Sequence, residues 1–393
     1  MKVMMLSSLS WSLINFRGPL IARLVQQGHE VIACAPDAEP EVLARLAAMG
    51  VAFRLTPMAR AGTNPIDDLR TLLGYLRLMR AERPDVVIAY TQKPIIYGGL
   101  SARLLRRRFF VIMSGLGHVF SDAAGGRRWL RRAVSRLYRI GVGQAECIFT
   151  FNGDDHRDML ANGILSPGQR VLQVPGSGID LRHFARAPLP DGPFTFLMMG
   201  RLMRDKGVGD YVEAARRIRS IRQDVRFLLL TRAETENPTG YTTADLEQWR
   251  VEGLIEFLPE TRDVRPFLAS AHVFVLPSYY REGLPRTILE ALATGRPVIT
   301  TDMPGCREPI RPGINGLLVP PRDPAALAEA MERLIADPAL VAAMADAARQ
   351  MAVEIYDVDR VNRLLLDAMR LQGEPVPDIS AAAAPPLLTP GRI

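Results

Sequence analysis

Two glutamates, Glu282 and Glu290, stand eight positions apart in Glu282-Gly-Leu-Pro-Arg-Thr-Ile-Leu-Glu290. An ionised carboxylate only accepts hydrogen bonds, so it suits a ligand rich in hydroxyls. The stretch from Arg286 to Ala293 reads as a helix, and the backbone N–H groups of Gly283 and Leu284 are expected to open it. A helix start is a natural anion site, because its first N–H groups lack partners within the helix and carry the positive end of its dipole. Hydroxyl-binding carboxylates on either side of an anion site describe a nucleotide-sugar.

A second constellation precedes it in Met199-Gly200-Arg201-Leu-Met-Arg-Asp-Lys206-Gly207. Arg201 and Lys206 follow an apolar run, and two cations at a strand end repel each other. A bound diphosphate removes that cost, the arginine acting as a fork and the lysine as a point charge. Such cations also stand in for a metal. Asp154-Asp155 and Asp67-Asp68 lack the Asp-x-Asp spacing that would hold one, so no metal or other cofactor is expected. Asn15, Arg17 and Gly18 precede a helix near the N-terminus and are placed beside the acceptor or the donor diphosphate. His118 lies in Ser114-Gly-Leu-Gly-His118-Val-Phe; a lone histidine is more often structural, but these glycines let backbone approach a ligand closely. His29, His156, His183 and His272 are scattered and make no metal cluster.

Short apolar runs alternate with helical patterns along the chain, the rhythm of a doubly wound parallel sheet. Expected strands in the first half are Lys2–Leu6, Glu30–Cys34, Ala52–Leu55, Val86–Tyr90, Phe109–Ile112 and Ile148–Phe151. The second half offers Phe194–Met199, Arg226–Leu230, Ile255–Phe257, Val273–Leu276, Val298–Thr300 and Gly316–Val319. Pro and Gly crowd Pro175–Pro193, which reads as a linker. Two α/β domains facing a cleft follow, residues 1–185 and 186–357. A helix over 358–371 and a tail over 372–393 without amphipathic period complete the chain. Glu282 then sits at the carboxyl edge of a sheet, where open α/β folds bind ligands.

The 393 residues, 48% hydrophobic and 23% charged, are enough for two full cores. Three dispersed cysteines fit reduced thiols rather than a disulfide framework. Neither a signal peptide nor a membrane-spanning run is expected. After Lys2–Leu6 there is no Gly-x-Gly-x-x-Gly, which excludes the dinucleotide fingerprint. Charge is uneven: residues 1–190 hold 25 Lys and Arg against 14 Asp and Glu, whereas the remainder is slightly acidic. Ten arginines fall within 103–139 against the single acid Asp122. Arg127, Arg128, Trp129, Arg131 and Arg132 open a helix whose basic, aromatic and apolar mixture suits an anionic membrane surface. No nucleic-acid motif accompanies the charge, so no nucleic-acid partner is expected.

The block from Glu282 to Gly316, with Glu290-Ala-Leu-Ala-Thr-Gly-Arg-Pro and Gly305-Cys-Arg-Glu308, resembles the donor-binding core of family 4 glycosyltransferases. Gly200-Arg201 with Lys206-Gly207 resembles that family's diphosphate element. The resemblance implies a GT-B fold of two Rossmann-like domains facing a central cleft, and transfer with retention. It implies that Glu282 holds donor-sugar hydroxyls, Glu290 the ribose, and His118 the sugar near its reacting carbon. Uracil would lie near Leu258-Pro-Glu260-Thr-Arg262, and the last helix would cross back to the first domain. The first loop departs from the family's frequent Gly-Gly doublet. Asn15-Phe-Arg17, Thr91-Gln-Lys-Pro-Ile-Ile-Tyr-Gly98 and Ser114-Gly-Leu-Gly-His118 are instead similar to bacterial enzymes extending polyprenyl-diphosphate-linked saccharides with N-acetylhexosamine. The implied partners are a UDP-sugar donor, a lipid-linked saccharide acceptor and the inner membrane surface, met from the cytoplasm. A GT-B epimerase and a non-catalytic glycosyltransferase-like subunit are the alternatives.

Overall fold

The computed structural model describes residues 1–58, 64–116, 128–232 and 239–372. A first sheet contains β1 (Lys2–Leu6), β2 (Glu30–Ala35), β3 (Ala52–Leu55), β4 (Val86–Tyr90), β5 (Arg108–Met113), β6 (Cys147–Thr150) and β7 (Val171–Gln173). Its helices are α1 (Ser10–Asn15), α2 (Gly18–Gln26), α3 (Pro40–Ala48), α4 (Pro65–Glu82), α5 (Gly99–Leu104), α6 (Arg128–Val142) and α7 (Gly153–Ala161). A second sheet contains β8 (Phe194–Arg201), β9 (Val225–Arg232), β10 (Glu256–Leu258), β11 (Val273–Leu276), β12 (Val298–Thr301) and β13 (Gly316–Val319). With it come α8 (Val208–Arg219), α9 (Thr243–Glu252), α10 (Arg265–Ala269), α11 (Arg286–Thr294), α12 (Pro324–Ala336), α13 (Pro338–Ile355) and α14 (Val358–Met369).

Every paired strand runs parallel, in the orders β3-β2-β1-β4-β5-β6-β7 and β10-β9-β8-β11-β12-β13. Parallel sheets need both faces covered, which explains the unbroken apolar runs. In β1, Val3 and Met5 enter one core while Met4 and Leu6 enter the opposite one. Strand order reverses between β1 and β4, and between β8 and β11, so each sheet has a crevice at that point. β7 and α1 were not expected from the sequence; β7 is only three residues long and has no buried residue.

Arg296 ties the connecting segment to the second sheet. This wholly buried side chain donates to the carbonyls of Leu268 (2.8 Å), Ala269 (3.1 Å) and Pro188 (2.7 Å). At the other end of the second unit, α14 returns to the first: Val361, Leu365, Leu366 and Met369 join the core built on β1 and β2. His29 Nε2 lies 2.9 Å from the Leu371 carbonyl, and Arg108 donates to that of Met369 at 2.9 Å. The tail beyond residue 372 lies outside the described residues.

Candidate active site

Loops at the carboxyl ends of β1, β5, β6, β8 and β11 meet between the two units. β11 ends at Leu276, and Ser278 to Gly283 run into the cleft. Glu282 Oε1 accepts from Ser278 Oγ at 3.2 Å and is ion-paired with Lys206, the two side chains being 13% and 12% exposed. Lys206 Nζ also stands over the Tyr280 ring, 5.5 Å from its centroid. The sequence led us to expect an uncompensated Arg201–Lys206 pair and a glutamate free for hydroxyls. The structure corrects both points, since Lys206 and Glu282 satisfy each other. Arg201 is exposed beside half-buried Gly200.

α11 begins at Arg286, as the sequence led us to expect, but Gly283 and Leu284 do not belong to its first turn. Proline disfavours helical backbone in the residue before it, so Leu284 cannot open the helix. Pro285 caps α11 in an extended conformation and Arg286 is its first residue. Gly283 instead marks a close approach between the units. A Cβ there would lie 2.3 Å from the Ser114 carbonyl oxygen, closer than any side chain tolerates.

Glu290 is buried one turn into α11, and Arg286 Nε donates to its Oε1 at 3.1 Å. Burial raises the Glu290 carboxyl above its ordinary range, with Arg286 opposing. Arg286 also covers the Phe16 ring at 5.6 Å, which brings the Asn15–Gly18 loop of the first unit to the start of α11. Arg17 in that loop is 2% exposed, its guanidinium 5.1 Å from the Tyr90 centroid and 5.6 Å from that of Phe151. Its Nε is buried without a hydrogen-bond partner, and no carboxylate pairs with it among the described residues. Burial pushes Arg17 down to about 10, Tyr90 opposing and Arg286 adding to the shift. A buried cation without an acceptor costs several kcal/mol unless an anion reaches it. Sequence reasoning named Arg17 as a site residue but placed Arg286 only as the first residue of a helix.

Other expected residues are dispersed or outside the described part of the chain. Glu260 is exposed, while Arg262 of the same loop ion-pairs with Glu39 (3.2 Å) and Glu41 across the cleft and covers the Trp11 ring at 4.3 Å. Asp154 pairs with Arg157 and Arg307, and Asp155 is buried. His118 and Arg127 lie outside the described residues. Arg128 opens α6, on which Trp129 is 70% exposed. Arg131, Arg132, Arg136 and Arg139 line a groove of about 690 Å³ against Asp158 and Asn162 of the α7 region. Arg131 Nε donates to Asn162 Oδ1 at 2.8 Å. No described helix is long and apolar enough to cross a membrane.

Two family models account for both units. "Glycosyl transferase 4-like domain" matches residues 17–176 and "Glycosyl transferases group 1" matches 193–337. The chain belongs to the glycosyltransferases. The enzyme is 26% identical, over 91% of its own length and 95% of the relative's, to N,N'-diacetylbacillosaminyl-diphospho-undecaprenol alpha-1,3-N-acetylgalactosaminyltransferase of Campylobacter jejuni. It is 25% identical, over 77% of its length and 80% of the relative's, to UDP-Gal:alpha-D-GlcNAc-diphosphoundecaprenol alpha-1,3-galactosyltransferase of Escherichia coli. Among solved structures, Anabaena HepE in complex with UDP and glucose shares the fold with a TM-score of 0.76 at 18% identity, over 94% of this chain and 99% of the other. Sucrose-phosphate synthase from Thermosynechococcus elongatus does so with 0.75 at 18%, over 94% and 98%. The architecture is therefore GT-B, two Rossmann-like units around a cleft.

Proposed function

We propose that the enzyme transfers a sugar, N-acetylhexosamine by preference, from a UDP-sugar to a polyprenyl-diphosphate-linked saccharide, with retention of anomeric configuration. The observation that carries this reading is the buried Arg17, lacking an acceptor and facing Arg286 at the start of α11. A diphosphate there would be flanked by Glu290 on one side and by Glu282, Lys206 and Arg201 on the other. Glu290 then holds ribose hydroxyls. Glu282 exchanges part of its contact with Lys206 for donor-sugar hydroxyls, which frees the lysine for the leaving phosphate. Likeness to two bacterial enzymes named for undecaprenyl-diphosphate substrates supports the acceptor class.

The chemistry needs no enzymatic nucleophile. The acceptor oxygen bonds to the anomeric carbon on the face the leaving group vacates, the bond from that carbon to the diphosphate breaks, and the acceptor proton passes to the departing phosphate oxygen. UDP leaves. Catalysis comes from fixed charges aimed at the developing anion: Lys206, Arg201, Arg286 and the N–H groups opening α11. These cations do the work a metal would, and His118 is assigned to the donor sugar near the reacting carbon. The basic, tryptophan-bearing face of α6 docks on the anionic inner leaflet from the cytoplasm, where such an acceptor resides.

The test is thermal stability against UDP, GDP, NAD, UDP-N-acetylhexosamines and GDP-mannose. A ligand at about 100 times its Kd stabilises by about 2.7 kcal/mol. A shift with UDP ligands that is lost in Glu290→Ala is expected; a shift with GDP ligands only, or with none, overturns the donor assignment.

A further inference from the structure

We propose that Asn152 is a positioning residue: from the first unit it holds the loop that carries Glu282, setting that glutamate for the donor when the two units meet. The proposal rests on the donor-site reading above. Asn152 follows β6, is wholly buried, and caps α7. Its Oδ1 accepts from the Asp155 N–H at 2.7 Å, as N-cap side chains do. A serine would serve equally well for that. What requires an amide is the other end of the side chain. Nδ2 lies 2.7 Å from the Gly283 carbonyl oxygen and 3.3 Å from that of Glu282, with Asp155 Oδ2 at 3.0 Å. An amide nitrogen is a double donor, and here it meets acceptors only.

The surroundings fit a clasp rather than a chance contact. The Glu282–Gly283 peptide is enclosed by backbone: a Cβ on Gly283 would meet the Ser114 oxygen at 2.3 Å, and one on Gly305 the Glu282 oxygen at 2.4 Å. Those contacts restrict the loop without directing it; Asn152 supplies directed bonds to its carbonyls. Two ion pairs join the same regions on either side, Arg281 with Asp158 and Arg307 with Asp154 (3.1 Å). The first turns of α7 are thus the first unit's hold on the segment whose side chain meets Lys206. Rotating that peptide would swing the Glu282 carboxylate away from Lys206 and Ser278.

Asn152→Ser separates the two roles, since it keeps the cap and removes the donor. We expect the serine variant to unfold at a lower temperature than wild type, because the Gly283 carbonyl and Asp155 Oδ2 lose their buried donor, yet to remain folded at assay temperature and to bind UDP with wild-type affinity. Its kcat should fall about tenfold, with the donor KM changed much less. The second measurement is a double-mutant cycle with Glu282→Gln. If Asn152 acts through Glu282, adding the serine to that variant costs less than threefold. Wild-type kcat in Asn152→Ser would overturn the proposal and leave a cap only. An equal tenfold loss in the Glu282→Gln background would also overturn it, because the effect would then bypass the glutamate. Failure of the underlying reading shows separately, as wild-type protein that neither binds UDP nor turns over a UDP-sugar.

Discussion

Replacing Arg17 with methionine should move stability and ligand affinity in opposite directions. Burial lowers the Arg17 guanidinium from its ordinary value to about 10, which at about 1.4 kcal/mol per decade is a cost of about 3 kcal/mol. At neutral pH the group stays charged, so the folded protein bears that cost in full. Stacking on Tyr90 and Phe151 returns about 1 kcal/mol per ring, leaving a net cost near 1 kcal/mol. A methionine of similar reach removes both terms. The ligand-free protein should therefore melt about 2–4 °C higher. Losing a hydrogen bond between charged partners costs about 1.5–3 kcal/mol, so UDP should bind about 10- to 150-fold more weakly. Thermal scans without ligand and calorimetric titration with UDP read the two effects independently. A lower melting temperature with unchanged UDP affinity would refute the argument, because Arg17 would then be a structural cation satisfied within the fold.

The remaining predictions concern α6 and α7. Changing Arg127, Arg128, Arg131 and Arg132 to Gln should release the protein from anionic vesicles at physiological salt; undiminished co-sedimentation contradicts a docking face. Burial raises the Asp155 carboxyl to about 7, with Asn152 and Arg281 opposing. An acid whose folded value lies above its unfolded one stabilises the fold at low pH and loses that contribution as pH rises. Stability should thus decline from about pH 4 to pH 7, and Asp155→Asn should flatten the decline; an unchanged slope contradicts the assignment.

Both sheets were legible because strands buried on both faces leave uninterrupted apolar runs. Proline and glycine punctuation marked helix ends well, as at Pro65, Pro324 and Gly295, the last in the left-handed region at φ 79°. β7 escaped because it is only three residues long, with Val171 and Leu172 only partly buried, too short a run to stand out as a strand. At the site, residue types were readable but pairings were not. Lys206 and Glu282 are 76 positions apart, and Asn152 and Gly283 are 131 apart. No local pattern announces such contacts; they exist because two crossovers bring loops to facing sheet edges. Asn152 drew no attention in the sequence; asparagine is common at a helix N-cap, and only its Nδ2 contacts set it apart. Arg286 was read only as the first residue of a helix, because its pairing with Glu290 one turn on is an ordinary helix contact and its approach to Phe16 comes from the other unit.

The most direct test of the account uses purified protein, UDP-N-acetylhexosamine and a polyprenyl-diphosphate-linked saccharide, with UDP release and product linkage followed in the presence of chelator. The account predicts UDP release that depends on the acceptor, persists with divalent ions removed, and yields a product with the donor's anomeric configuration. Release without acceptor, inverted product, or turnover abolished by chelation would contradict it.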